Sequence, residues 1–340
     1  MKFKANCLAT GIGSLPHTDP SLACDIILDY FPEIPYWPQL PKKSFRESMP
    51  QFFEDFPGLF AEKKDNKIYI DSKKFKAELE SFYGRTADEF TINEEYAPGL
   101  YKLLEFKENL KEAKTVKGQI IGPISFGLSV TDENKRPVIY NDEMRDALIM
   151  NLQMKARYQE KLLKTLYPDP ITFIDESMLD YLYTPYIGYD EVRAREDLEA
   201  ILSGLEGLKG VHCCSKANWP FLLDLVNIIS FDAYHYSDNF LSYSEAIKNF
   251  LKRGGVIAWG IIPTEEDAVS NETAMNLKEK LEGNLGYLAK VGINYDYLLE
   301  NSLITPTCGL GGRSENIAIK AFELTRELSS KMREKYNLIS

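Results

Sequence analysis

The 340-residue sequence contains no apolar run near the roughly 20 residues that a membrane-crossing helix needs, so an α-helical membrane protein is excluded. It contains no basic block either. Forty lysines and arginines against 51 acidic residues leave a net charge of −11, which argues against a surface that binds nucleic acid by neutralising phosphates. Serine/glycine-rich and proline-rich linkers are absent, as is any repeat of solenoid period, so one domain spanning residues 1–340 is expected. The start, Met1-Lys2-Phe3-Lys4-Ala5-Asn6, lacks the apolar stretch of a signal peptide, and a cytoplasmic location is expected. Cysteine is sparse and odd in number, with Cys7, Cys24, Cys213, Cys214 and Cys308, too thinly spread for a disulfide scaffold and better read as free thiols or metal ligands. Histidine is scarcer still, at His17, His212 and His235.

What the sequence does have is alternation. Short β-branched runs at Val116 to Ile121, Ile171 to Ile174, Gly210 to Cys214, Asn227 to Phe231, Val256 to Ile261 and Leu303 to Pro306 read as strands. Between and after them, Met144 to Leu166, Asp190 to Leu205, Tyr243 to Lys252, Glu265 to Val291 and Ser314 to Lys335 carry apolar residues at helical spacing. Repeated βα units imply a parallel sheet with helices outside. Cys7 to Ile12 and Ile34 to Leu40 supply two further candidate strands, and eight units favour a TIM (β/α)8 barrel. The aromatic, acidic stretch over about residues 45–96 breaks the rhythm and reads as an irregular insertion over the barrel mouth.

The chemistry concentrates at strand ends. In Gly210-Val211-His212-Cys213-Cys214-Ser215, strand alternation sends His212 and Cys214 to one face and Cys213 to the other. Zinc accepts imidazole nitrogen and thiolate sulfur, and a His-x-Cys pair needs one or two further ligands. Cys308, in the glycine-rich turn Thr307-Cys308-Gly309-Leu310-Gly311-Gly312 after the last strand, is the first candidate, and Asp232, ending Ile228-Ile229-Ser230-Phe231-Asp232, is the second. The alternative is that His212 and Cys214 are ordinary core residues, since cysteine is among the most buried residue types. Ile174-Asp175-Glu176 ends a strand with two carboxylates pointing opposite ways; Asp175 either holds a substrate ammonium group or, like Glu176, serves as a helix cap or salt-bridge partner. Gly11-Ile12-Gly13-Ser14 lacks the pattern of a nucleotide loop, yet its amides form a concavity able to take a carboxylate.

In order along the chain, Thr10-Gly11-Ile12-Gly13-Ser14-Leu15-Pro16, Lys117-Gly118 with Gly122-Pro123, Ile174-Asp175-Glu176, His212-x-Cys214, Ile229-Ser230-Phe231-Asp232 and Pro306-Thr307-Cys308-Gly309-Leu310 resemble the catalytic C-terminal half of cobalamin-independent methionine synthase. The wider group includes uroporphyrinogen decarboxylase and zinc methyltransferases acting on methylated corrinoids. The resemblance implies a TIM barrel whose zinc is held by His212, Cys214, Asp232 and Cys308, with Ile12 and Ser14 at the carboxylate of homocysteine and Asp175 at its ammonium group. Where the family has Glu, this chain has Asp232, one methylene shorter. A second acidic residue that the family uses at the amine has no counterpart near Lys42-Lys43-Ser44-Phe45-Arg46.

The family also places an Asp-x-His sequence where this chain reads Ala258-Trp259-Gly260. Methyl-tetrahydrofolate is a poor donor until its amine is protonated, and that histidine is the family's proton source. A methyl-corrinoid needs no proton, so the expected reaction is zinc-dependent transfer of a methyl group from a methyl-corrinoid, free or protein-bound, to a thiol such as homocysteine. Methyl-folate through another acid, or a coenzyme M-type acceptor, is the alternative. A metal-free decarboxylase-like lyase is disfavoured by the acidic balance, since its many-carboxylate substrate requires a basic cleft. A binding protein without catalysis is the remaining reading, with Trp37, Phe52, Phe53 and Phe56 as its surface.

Overall fold

The structure of the protein, a computed structural model, describes residues 3–43, 49–62, 67–183 and 189–338. Among these are nine strands: β1 (Leu8–Ala9), β2 (Leu59–Glu62), β3 (Lys67–Ile70), β4 (Lys117–Ile121), β5 (Ile171–Asp175), β6 (Leu208–Cys213), β7 (Ile228–Asp232), β8 (Val256–Ile262) and β9 (Ser302–Pro306). Seven form one sheet in the order β1-β9-β8-β7-β6-β5-β4, every neighbouring pair parallel. Helices Asp142–Leu163, Glu191–Ser203, Trp219–Leu225, Ser244–Lys252 and Ala274–Lys290 make the returns between successive strands, and Glu315–Lys335 follows β9. β7, β8 and β9 are buried along their whole length, as a parallel sheet covered on both faces requires.

The sheet curls until its edges approach. Tyr36 makes an isolated parallel bridge to Lys117 on β4, and Gln39 makes one to Ser14 beyond β1. The eighth strand expected over Ile34 to Leu40 is not formed. Pro35 and Pro38 lack the N–H groups a ladder needs, so that stretch is reduced to these bridges and the sheet has seven strands rather than the expected eight. β1 is likewise shorter than the expected Cys7 to Ile12: Asn6 and Cys7 have φ of 44° and 55°, so the extended run starts only at Leu8, and it ends at Ala9. The helix expected over Glu265 to Val291 is two helices, Glu266–Asn271 and Ala274–Lys290, the second capped by Thr273 accepting from the Asn276 N–H.

Alternate residues of the strands stack inside the curl. Leu8, Ile171, Phe173, Ile228, Val256, Ala258 and Leu303 form an apolar cluster there. Two residues further along the same faces, toward the C-terminal strand ends, the chemistry turns polar: Asp175 follows Phe173, Ser230 follows Ile228 and Thr305 follows Leu303. That switch positions the site.

The 45–96 stretch holds more regular structure than expected. β2 and β3 form an antiparallel hairpin, and a helix spans Ser72–Tyr83, capped by Asp71, with Phe75 and Phe82 buried. It is fastened to helix Asp142–Leu163 by Asn151, whose Nδ2 donates to Phe52 O at 2.6 Å, and by the buried Lys155, whose Nζ donates to Thr91 O at 2.6 Å. Trp37, Phe52, Phe53 and Phe56, considered above as a surface, are core residues instead; the Phe53 ring packs 4.0 Å from that of Phe126. No helix among the described residues is long and apolar enough to cross a membrane.

Candidate metal centre

β6 and the loop after β9 bring His212, Cys214 and Cys308 together, one donor atom from each lying within 4.8 Å of the others. His212 is the penultimate residue of β6 and is buried; Cys214 follows the strand and Cys308 follows β9, both partly buried. His212 Nδ1 lies 2.9 Å from Ser230 Oγ on β7, its partner in register, while Nε2 is buried without a hydrogen-bond partner. A buried imidazole nitrogen left unpartnered is costly unless something binds it. Two sulfurs beside that nitrogen are the donor chemistry that zinc accepts, so the residues present fit such an ion.

The neighbouring Cys214 and His212 hold the Cys308 thiol down to about 4, while the closeness of Cys308, with burial, raises the Cys214 thiol. Cys213 is different in kind. It is fully buried on the other face of β6, and burial pushes its thiol up to about 12, which leaves it unreactive.

The structure does not bring Asp232 into this group. Its Oδ1 accepts from the His235 N–H at 2.9 Å and its Oδ2 lies 2.8 Å from His235 Nδ1, so the carboxylate is turned onto its own loop. This is what a side chain one methylene shorter than Glu does when a local N–H offers a closer partner. Ala233 N and Tyr234 N both donate to Gly260 O, which sets the His235 loop against the end of β8.

Asp175 lies beside His212 in the β5–β6 register, and its Oδ1 is buried without a partner. Burial pushes its carboxyl up to about 6, opposed by His212 and Lys117. Lys117, fully buried at the start of β4, donates from Nζ to Ile12 O and, at 3.1 Å, to Gln119 Oε1, and lies over the Tyr36 and Phe173 rings at 5.2 and 5.1 Å. Burial pulls its ammonium down to about 8. Glu176, the adjacent carboxylate, does structural work: it accepts from Ile124 N, Ser125 N and Ser125 Oγ, capping helix Pro123–Ser129, and a side chain at Gly122 would collide with it.

Ile12 faces this interior from the first loop, and Ser14 lies on the same loop. Ile12 lines the same narrow seam as Lys117, Asp175, His212, Ser230 and Thr305, and Ser14 binds the loop that carries Cys308. Of the basic stretch after it, residues 44–46 lie outside the described residues. Gly260 is packed on backbone: a Cβ there would sit 2.4 Å from Phe231 O and 3.1 Å from Pro306 O. Trp259 is wholly buried, with Nε1 donating to Ser302 Oγ at 3.0 Å. A cavity of about 690 Å³ opens at the opposite ends of the strands, lined by Phe3, Leu8, Thr115, Leu208 and Asn227 among others, and contains none of these groups. Sequence reasoning gave Ser230 and Lys117 no role. A lone hydroxyl inside Ile228-Ile229-Ser230-Phe231 and a lone charge opening an apolar strand were the signals available.

No protein-family model and no curated protein sequence matches the chain. Solved structures do. A B12-independent methionine synthase from Shewanella sp. W3-18-1, in complex with selenomethionine, aligns with a TM-score of 0.50 at 18% identity, covering 70% of this chain and 68% of that one. A methyltransferase from Methanosarcina mazei aligns with a TM-score of 0.56 at 12% identity over 94% and 92%. A protein assigned as a vitamin B12-independent methionine synthase from Listeria monocytogenes aligns with a TM-score of 0.55 at 14% identity over 92% and 86%. At these identities the likeness is one of fold: an α/β chain with a curled parallel sheet of TIM-barrel type.

Proposed function

We propose that the protein transfers a methyl group to a thiol, with homocysteine the first acceptor to test, and that His212, Cys214 and Cys308 hold zinc. The observation that carries this is the meeting of two cysteine sulfurs with a histidine whose Nε2 is buried and unpartnered. A zinc ion bound there would supply one thing, a deprotonated yet nucleophilic acceptor sulfur at neutral pH.

The remaining work falls to the chain. Ser230 fixes the ring of His212 through Nδ1. Asp175, with an unpartnered oxygen in the interior, receives the acceptor's ammonium group, and the arriving cation adds to Lys117 in opposing the effect of burial on its carboxyl. Ser14 and the Ile12 backbone receive the carboxylate, and Lys117 anchors that loop through Ile12 O. Together these contacts convert a two-body encounter into a positioned one.

For the donor, the packing of Gly260 is compatible with a methyl-corrinoid, which needs no proton, since position 260 itself has no room for an acidic side chain. A second reading, methyl-folate, is favoured by His235, which Asp232 holds at 2.8 Å on the loop bonded to Gly260 O, and by the B12-independent names of two structural neighbours. Zinc-loaded protein given homocysteine and either methyl-labelled donor decides between them by mass spectrometry of labelled methionine. Label from methylcobalamin alone supports the first reading and label from the folate the second. No labelled thioether from either donor, with coenzyme M also tried as acceptor, would overturn the proposal.

A further inference from the structure

Ser14 joins the first loop of the site to the last. Its carbonyl accepts the Leu310 N–H at 2.9 Å, and its hydroxyl accepts the Gly311 N–H at 3.1 Å. Both amides lie just beyond Cys308. The glycines of that loop are fitted to this contact: a Cβ at Gly309 would lie 2.3 Å from Ser14 Oγ, and one at Gly311 would lie 3.0 Å from Ser14 Cβ and 2.6 Å from Pro41 Cγ. Neither glycine has a left-handed φ, so the requirement is space and not backbone freedom. Gly312, on the same loop, has open space where its Cβ would be.

We infer that Ser14 is a positioning residue of the metal centre: it clamps the backbone at 310–311 and so holds Cys308 against His212 and Cys214. The clamp uses a lone pair of the hydroxyl and leaves its proton to donate, so the same side chain remains able to meet an acceptor carboxylate. Acceptor binding and metal binding are then coupled through one residue, and the coupling is reciprocal. The inference rests on reading His212, Cys214 and Cys308 as metal ligands.

Cobalt(II) titration of metal-free protein, read from the thiolate-to-metal absorption, tests it. Ser14→Ala removes one neutral hydrogen bond and is expected to weaken cobalt binding about fivefold. Gly309→Ala drives Ser14 Oγ from the same bond, whereas in the double variant the new Cβ meets Ser14 Cβ at 3.5 Å, an ordinary contact. The double variant is therefore expected to match Ser14→Ala, and Gly312→Ala to match the unmodified protein. Cobalt affinity unchanged in Ser14→Ala, or losses that multiply to about 25-fold in the double variant, would overturn the clamp. Amide exchange at Gly311 in metal-free protein separates the two ideas. Faster exchange in Ser14→Ala, with no cobalt bound even by the unmodified protein, removes the metal centre and retains the loop contact; unchanged exchange removes the clamp itself.

Discussion

Replacing Ser230 by alanine should weaken metal binding without touching a ligand. Ser230 Oγ is the one partner of His212 Nδ1, at 2.9 Å in a site where His212 is only 4% exposed. That contact engages Nδ1 and leaves Nε2 as the nitrogen free to meet a metal; without it the ring loses the partner that fixes its orientation. Removing such a partner typically lowers metal affinity 10- to 100-fold, which corresponds to about 1.4–2.7 kcal/mol. A separate argument gives a similar size, because Nδ1 is left buried and unsatisfied at a cost of about 1–3 kcal/mol. Zinc affinity is read by competition with a chromophoric chelator, and chemical denaturation of the metal-free protein measures the structural share. Ser230→Thr, which keeps the hydroxyl, should recover most of the affinity. Equal zinc affinity in Ser230→Ala and the unmodified protein would refute the reasoning, and a loss that Thr fails to recover would place the effect in packing.

Asp175 gives a pH prediction. Its folded pKa of about 6 lies above the ordinary value of 3.8 because of burial, so the folded state binds the proton more tightly than the unfolded chain does. The stability it contributes is present below about pH 4 and is lost as pH rises through about 6, on the order of 3 kcal/mol for a shift of this size. In metal-free Asp175→Asn the denaturation midpoint should lack that decline, and an unchanged slope between pH 4 and 6 would contradict it. Gly260→His should destabilise the fold by about 3 kcal/mol or more, because its Cβ meets the backbone at Phe231 and Pro306. A variant as stable as the parent in urea would show that the strand end has room.

Much of this was legible in the sequence because it follows from strand periodicity. β4 to β9 fall within a residue or two of the apolar runs that announce them, and the alternation in Gly210 to Cys214 is enough to put Cys213 on the other face. What was not legible depends on contacts between distant segments. The prolines at 35 and 38 were visible, yet that the Ile34 to Leu40 run would fall short of a strand depends on what the sheet edges offer it. The helix Ser72–Tyr83 was hidden by an aromatic, acidic composition in which Phe75 and Phe82 are buried and Leu79 packs beside them against the core. Asp232 illustrates the limit most sharply, since the local sequence does not tell a carboxylate aimed at a metal from one captured by the N–H and imidazole of His235. The contact of Ser230 with His212, and that of Ser14 with the Cys308 loop, arise only when β6 meets β7 and the first loop meets the last.

The most direct test of the account is zinc K-edge absorption spectroscopy of the reconstituted protein, with and without homocysteine. The site offers two cysteine sulfurs and one imidazole nitrogen. The account predicts one zinc per chain with two sulfur ligands at rest and three once the acceptor thiol is present. A zinc that Cys308→Ala binds as tightly as the unmodified protein, or a sulfur count that homocysteine leaves unchanged, would contradict it.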